Sequence, residues 1–306
     1  MPDQSSSGAT TPTPNKASPP PEDVNTLALR ARAQVSKLLD EISLTYADLP
    51  LLACCAISGL CDSVAFNATG TFASMQTGNT IFLALGASSL PPSMPGLWLR
   101  ALVSITAFQL GCFIFSHLRH LNPLRRSTLT LSFLLQSLFI IASAILAQTT
   151  AVPAFAKSHL SPTLTHEQEV LREHEESQGI TLLPLALLAF QFGGQIVASR
   201  VLGYNEVPTN VLTSLYCDLL SDPGLFVGLG KNPKRNRRVA AIVLLVLGGI
   251  IGGWLQRGSG GMSAALWMAG GIKLVIAVGW IVWPGKGMPA TVEATVEKAK
   301  AKGVVV

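Results

Sequence analysis

The sequence predicts an all-α polytopic integral membrane helical bundle, with about six full spans plus two partial or short spans and a weak internal repeat that is inverted in orientation. Three observations lead there. Of 306 residues, 49% are hydrophobic and only 13% are charged, about half the charged share of a soluble domain. Six apolar runs have the length of a bilayer-crossing helix, about 20 residues each. Lys and Arg gather in short loops between those runs, the pattern that sets membrane topology.

Residues 1–26 (MPDQSSSGATTPTPNKASPPPEDVNT) are rich in Ser, Thr and Pro and lack a hydrophobic core, so they are expected to be a disordered tail and not a cleaved signal peptide. Residues 27–48 mix charges with Leu, Val and Ile at helical spacing. That spacing predicts an amphipathic juxtamembrane helix, with a solvated linker helix as the alternative. The first membrane repeat is placed at 49–148, an acidic extramembrane loop at 149–179, the second repeat at 180–284 and a C-terminal tail at 285–306. Clear spans are expected at 49–67, 97–118, 128–148, 180–200, 239–256 and 263–283. Two segments, 71–90 and 204–220, join an apolar stretch to a polar one and are expected to be partial.

Charge orients the bundle. Arg119, Arg125 and Arg126 follow the second span, and Lys231, Lys234, Arg235, Arg237 and Arg238 precede the fifth, whereas the loop after the third carries Glu167, Glu169, Glu173, Glu175 and Glu176. With both termini cytoplasmic and both partial segments re-entering on the side they came from, the basic loops fall inside and the acidic loop outside. Seven or eight complete spans are the alternative. Re-entrant backbone at membrane depth has to be buried in protein or line a watery cavity.

The partial segments occupy matching places. AISGLCDSVAF and MQTGNT in the first half align loosely with AFQFGGQIVAS and NVLTSLYCD in the second. Three crossings per half would make the repeats antiparallel, the arrangement from which transporters build a central site with broken helices.

Polar residues inside apolar runs are the site candidates. Asp62 lies within the first span, where an unpaired charge costs at least about 2.5 kcal/mol. It either binds a cation, proton or polar substrate, or serves as a structural carboxyl. Thr77, Gly78, Asn79 and Thr80 either break the helix so that polar groups face Asp62, or cap a helix N-terminus. Gln191 and Gln195 lie on one face of the fourth span and either line the same cavity or hydrogen-bond between helices. Thr213 belongs to the second polar half-segment with Thr209, Asn210 and Asp218. Gly248, Gly249, Gly252 and Gly253 form overlapping G-x-x-x-G patterns that predict close helix packing.

Other chemistries find little support. The cysteines Cys54, Cys55, Cys61, Cys112 and Cys217 lack paired metal-ligand spacing and read as packing residues. HEQEV is not H-E-x-x-H, and no phosphate loop, G-x-S-x-G or dinucleotide fingerprint appears. KNPKRNRR reads as a topology anchor meeting anionic headgroups and not as a nucleic-acid signal. No cofactor, no enzyme activity and no nucleic-acid partner are expected.

GLCDS (Gly59 to Ser63), MQTGNT (Met75 to Thr80) and TNVLTSLYCDL (Thr209 to Leu219) resemble the YoaK-like membrane proteins, domain-of-unknown-function family 1275. That family carries G-x-x-D-A, then H-M-T-G-N-T, then T-T-x-M-T-G-x-x-x-D-L. Where the family has His-Met-Thr this chain has Ser74-Met75-Gln76-Thr77; the second Thr-Gly is Thr213-Ser214, and a Gln-Asn pair is Gln195-Ile196. The resemblance implies an integral membrane protein of bacteria and fungi, of a kind described as a transporter or permease without an established activity. The buried carboxylate and the paired broken segments make transport of a small polar solute or ion across a lipid bilayer the expected function, in the plasma membrane rather than an organelle. Asp62 and Thr77 to Thr80 are expected to face Gln191, Gln195 and Thr213. The alternative is a non-transporting membrane scaffold or signalling partner.

Overall fold

The computed structural model describes residues 38–94, 96–149, 151–156 and 179–286. The expected tail at 1–26, most of the expected helix at 27–48, the acidic stretch with its glutamates and histidines, and the tail beyond 286 lie outside them. Among the described residues six helices are long and apolar enough to cross a membrane. They are α1 (Asp48–Thr69), α3 (Leu97–His117), α4 (Arg126–Gln148), α6 (Leu182–Val201), α8 (Pro233–Arg257) and α9 (Gly261–Val282). Three shorter helices are also described: α2 (Gln76–Gly86), α5 (Pro153–Ala156) and α7 (Thr213–Leu220). At 11 and 8 residues, α2 and α7 are too short to cross at about 1.5 Å per residue.

Local chemistry sets the boundaries. Gly70 ends α1 in the left-handed region at φ 69°, with its N–H returned to the Phe66 carbonyl, a conformation that favours glycine. Helix α8 begins six residues before its apolar run: Pro233 takes the first helical position and the Asn232 side chain accepts the Arg235 N–H, a Pro-plus-N-cap start. Chain 40–47, expected to be helical, is not. Its backbone forms isolated bridges, Glu41 with Arg125 and Ile42 with Gly285, and buries Ile42.

Contacts fix the relative directions of the spans. Helices α1 and α8 run parallel: Asp48 meets Arg237, Gly59 meets Gly248 and Asn67 donates to Gln256. Helices α3 and α6 are parallel too, since Gly111 meets Phe190 and Gly194 meets Phe115. Helices α4 and α9 are antiparallel: Gln148 accepts from Trp267, Ser137 donates to the Gly270 carbonyl, and Phe133 packs on Trp280. Helix α6 starts beside the end of α4, where Ser143 donates to the Pro184 carbonyl. If α2 and α7 both crossed, α4 and α9 would run parallel; if one alone crossed, α1 and α8 would be antiparallel. Re-entry of both satisfies all three pairs.

The halves are structural equivalents. A Cβ on Gly59 would lie 2.1 Å from the Leu245 oxygen and 2.5 Å from the Gly249 nitrogen; a Cβ on Gly193 would lie 2.4 Å from the Phe108 oxygen and 2.5 Å from the Cys112 nitrogen. The reciprocal contacts match, at 2.1 Å from Gly248 to the Ala56 oxygen and 2.0 Å from Gly111 to the Phe190 oxygen. The α1–α8 crossing thus repeats as α6–α3, with Gly59 corresponding to Gly193 and Gly248 to Gly111. Since α1 and α6 run in opposite directions, the repeat is inverted.

One end of the bundle, the near face, carries the segments before α1, between α3 and α4, between α6 and α8, and after α9. Ile42 donates to the Leu124 carbonyl, Ser43 to that of Pro284, and the Tyr204 hydroxyl to that of Leu44. Arg237 bridges Asp48 at 2.6 Å and Glu206 at 2.9 Å. Both basic loops therefore lie on the same face as the segments leading to the two termini.

Candidate functional site

Each half carries a non-helical stretch that enters the bundle ahead of its short helix, and backbone at that depth must find partners within the protein. In the first half the stretch is 70–75. The buried Asp62 carboxylate accepts the Ala73 N–H at 2.9 Å and the Ser74 N–H at 2.8 Å through Oδ1, and the Ser74 hydroxyl through Oδ2. Asn79, fully buried in the first turn of α2, pairs with Phe72: its Oδ1 accepts the Phe72 N–H at 3.0 Å and its Nδ2 donates to the Phe72 oxygen at 2.6 Å. Ser104 of α3 donates to the same oxygen at 2.7 Å, and Gln76 donates to the Ala73 carbonyl at 2.9 Å.

This arrangement corrects two expectations. The break falls at 70–75 and not at Thr77 to Thr80, which form the first turns of α2. Gly78 packs beside the Phe72 ring, within 3.4 Å of a Cβ placed there, and Thr80 returns its hydroxyl to the Gln76 carbonyl. Thr77 and Thr80 are uncovered by the rest of the protein. Nor does Asn79 or Thr77 cap the helix, since Met75 holds the N-cap position with no side-chain bond. Asn79 stays within regular helix while its buried amide satisfies the preceding loop.

In the second half Gln195 does the anchoring. Its Nε2 donates to Asn210 Oδ1 at 2.9 Å, to the Ser58 hydroxyl of α1 at 2.9 Å and to the Cys54 carbonyl at 3.3 Å. Thr209 donates to Asn210 Oδ1 at 2.7 Å, Asn210 donates to the Phe192 carbonyl, and Ser199 holds the Val207 carbonyl. Thr213, expected to face Asp62, begins α7 uncovered by protein, and Asp218, in the second turn of the same helix, is uncovered too.

Lys273 of α9 is the residue that sequence reasoning missed. It is fully buried, and its ammonium donates to Gln191 Oε1 at 3.1 Å and to Gln195 Oε1, with the Phe133 and Phe192 rings 5.9 and 5.8 Å away. The usable signal was a lone charge inside GGIKLVIAVGW, because a charged residue in a span faces the bundle interior. Asp62 and the Gln191–Gln195 pair therefore belong to two clusters and not one. The first surrounds 70–75; the second gathers Lys273, Gln191, Gln195, Asn210 and Ser58. Helix α1 joins them, because Ser58 and Asp62 lie one turn apart, about 6 Å along the axis.

Chemically, the first cluster is closed upon itself: each carboxylate oxygen of Asp62 already has a donor. The second holds an ammonium among neutral groups. Among the described residues no group of His, Cys, Asp and Glu is placed to hold a metal. A small cleft of about 30 Å³, lined among others by Phe115, Thr128, Ser132, Ala198 and Val201, opens between α3, α4 and α6 towards the near face.

A family model described as "Protein of unknown function (DUF1275)" matches residues 50–279. No curated protein and no solved structure matches the chain.

Proposed function

The chain belongs to the DUF1275 family, and from that premise we propose that it is a transporter or permease for a small polar solute or ion. The observation that carries this reading is the Lys273 cluster at the inner end of a re-entrant segment. A charge fully buried in an apolar bundle is costly to keep and marks a solute or ion path in membrane proteins. Two inverted halves, each with a short helix that follows a non-helical stretch held within the bundle, give the framework for alternating access, in which one half rocks against the other around a fixed site.

The residues divide the work. Lys273, Gln191 and Gln195 bind; Asn210 and Ser58 orient Gln195. Asp62 is a positioning residue that holds the first re-entrant stretch through Ala73 and Ser74. The basic near face is the cytoplasmic one by the charge rule, which places both termini inside and fits insertion in the plasma membrane. The bilayer is the only partner this reading requires, and it includes no enzymatic step.

Purified protein reconstituted into vesicles, offered a panel of small neutral, anionic and cationic solutes, should accumulate at least one of them, and Lys273→Gln should reduce the rate at least tenfold. A folded protein that neither takes up nor binds any of them would favour the scaffold reading, which the saturated carboxylate of Asp62 supports.

A further inference from the structure

We propose that the second half binds a small monovalent anion, held by the Lys273 ammonium and the Gln191 side-chain amide. The purpose of the site rests on the transport reading above, whereas binding can be measured without it.

The first observation is the imbalance at Lys273. Its partners are two amide oxygens and two aromatic faces, all of which favour a cation while none carries a negative charge. No carboxylate among the described residues pairs with it. A buried ammonium without a counter-charge is the case in which burial costs most.

The second observation is independent. Gln191 is fully buried, and its Nε2 has no hydrogen-bond partner. Its amide cannot turn over to help itself, because that would aim the NH2 group at the ammonium. The side chain is thereby fixed with its oxygen on Lys273 and its donor unused. Donors lacking an acceptor are rare in protein interiors; here one sits on the side chain whose oxygen accepts from an uncompensated positive charge.

The inverted repeat supplies the third. Register from the paired glycines sets Gln195 and Ile196 where the first half has Cys61 and Asp62. The first half carries its own anion, the Asp62 carboxylate, against the stretch that precedes α2. The second half carries an amide and an isoleucine there, and a lysine beside them. An anion from solution completes it. One ammonium with neutral neighbours suits a single negative charge: a halide, nitrate or short carboxylate.

The test is a thermal titration of the purified full chain with sodium chloride, sodium nitrate and sodium acetate, against sodium sulfate at matched ionic strength. At least one monovalent anion should raise the melting temperature saturably by several degrees, and Lys273→Gln should abolish that response. Gln191→Glu provides a second arm that does not depend on the folding of Lys273→Gln. It tethers a carboxylate beside the ammonium, so it should melt higher than the parent without added anion and gain nothing further from it. A parent that shows no saturable response to any of the three anions overturns the proposal, as does a Gln191→Glu protein that responds like the parent. Anion binding without vesicle uptake of any solute would overturn the transport reading alone; vesicle uptake by a protein with no saturable anion response would overturn the anion inference alone.

Discussion

At the scale of single residues, polar side chains inside this bundle chiefly hold backbone that has left the helix. Asp62 was legible because a carboxylate in an apolar run demands a reason. Its partners were not, since Ala73 and Ser74 contribute through main-chain N–H groups that leave no mark on the sequence. The Thr-Gly-Asn-Thr run was misleading for a related cause: it reads as a breaker, yet Asn79 serves the neighbouring loop from within a regular helix. Asp62→Ala would strand the Ala73 and Ser74 donors, and at roughly 1–3 kcal/mol for each buried unsatisfied group the loss should be about 3 kcal/mol or more. Asp62→Asn keeps an oxygen for both amides and should lose less than half of that. Reversible unfolding in mixed micelles compares the two; equal losses would show that charge, and not hydrogen bonding, is what the position requires.

Elements were readable where apolarity and helix coincide, and misplaced where they separate. The fifth span was expected from residue 239 because Val239 opens the apolar run, but α8 starts at Pro233, and its basic first turns are set against Asp48, Glu206 and Asp222. Asp222 ties this start to the preceding loop. The Gly224 N–H, the Asn232 amide and the Arg238 guanidinium hold its carboxyl below the ordinary 3.8. A depressed folded value means that the tie is in force above pH 3.8 and is lost as pH falls through the lower, folded one. Protease nicking of 222–232 should therefore be slow at neutral pH and rise in strong acid, whereas Asp222→Asn should nick faster at neutral pH and show a flatter pH profile.

Helix crossings give a second element-scale prediction. Alanine at Gly59, Gly111, Gly193 or Gly248 places a carbon 2.0–2.4 Å from a carbonyl oxygen of the facing helix, and overpacking of this kind costs about 1–3 kcal/mol or more. Equivalent positions should suffer alike, Gly59 with Gly193 and Gly111 with Gly248. Gly253 and Gly271 have nothing within 4 Å of a Cβ, so alanine there should be neutral or stabilising by up to about 1 kcal/mol. Melting temperatures of the six variants separate the two groups. The G-x-x-x-G run advertised one crossing in sequence; its counterpart was hidden because Gly111 stands alone on α3, and only the contact geometry pairs it with Gly193.

For the whole molecule, positive charge and helix direction agree although they are independent. Loop arginines and lysines predict that α2 and α7 return to the face they left, and the parallel and antiparallel span pairs require the same. What charge could not convey is that the halves interlock, α1 with α8 and α6 with α3, or that their polar contents differ: an internal carboxylate in one and a buried ammonium in the other. That asymmetry arises from residues distant in sequence, Lys273 lying 78 positions from Gln195, beyond any local pattern.

The inverted, doubly re-entrant architecture is tested most directly by side-specific labelling. Single cysteines at Ser43, Asn122, Ser221, Ser88 and Ser259, in a background lacking the five native ones, are exposed to a membrane-impermeant maleimide in sealed, uniformly oriented vesicles. The architecture predicts two groups, with 43, 122 and 221 labelled from one side and 88 and 259 from the other. Labelling of 88 from the same side as 43, or of 221 from the same side as 259, would mean that a short helix crosses the membrane and would contradict it.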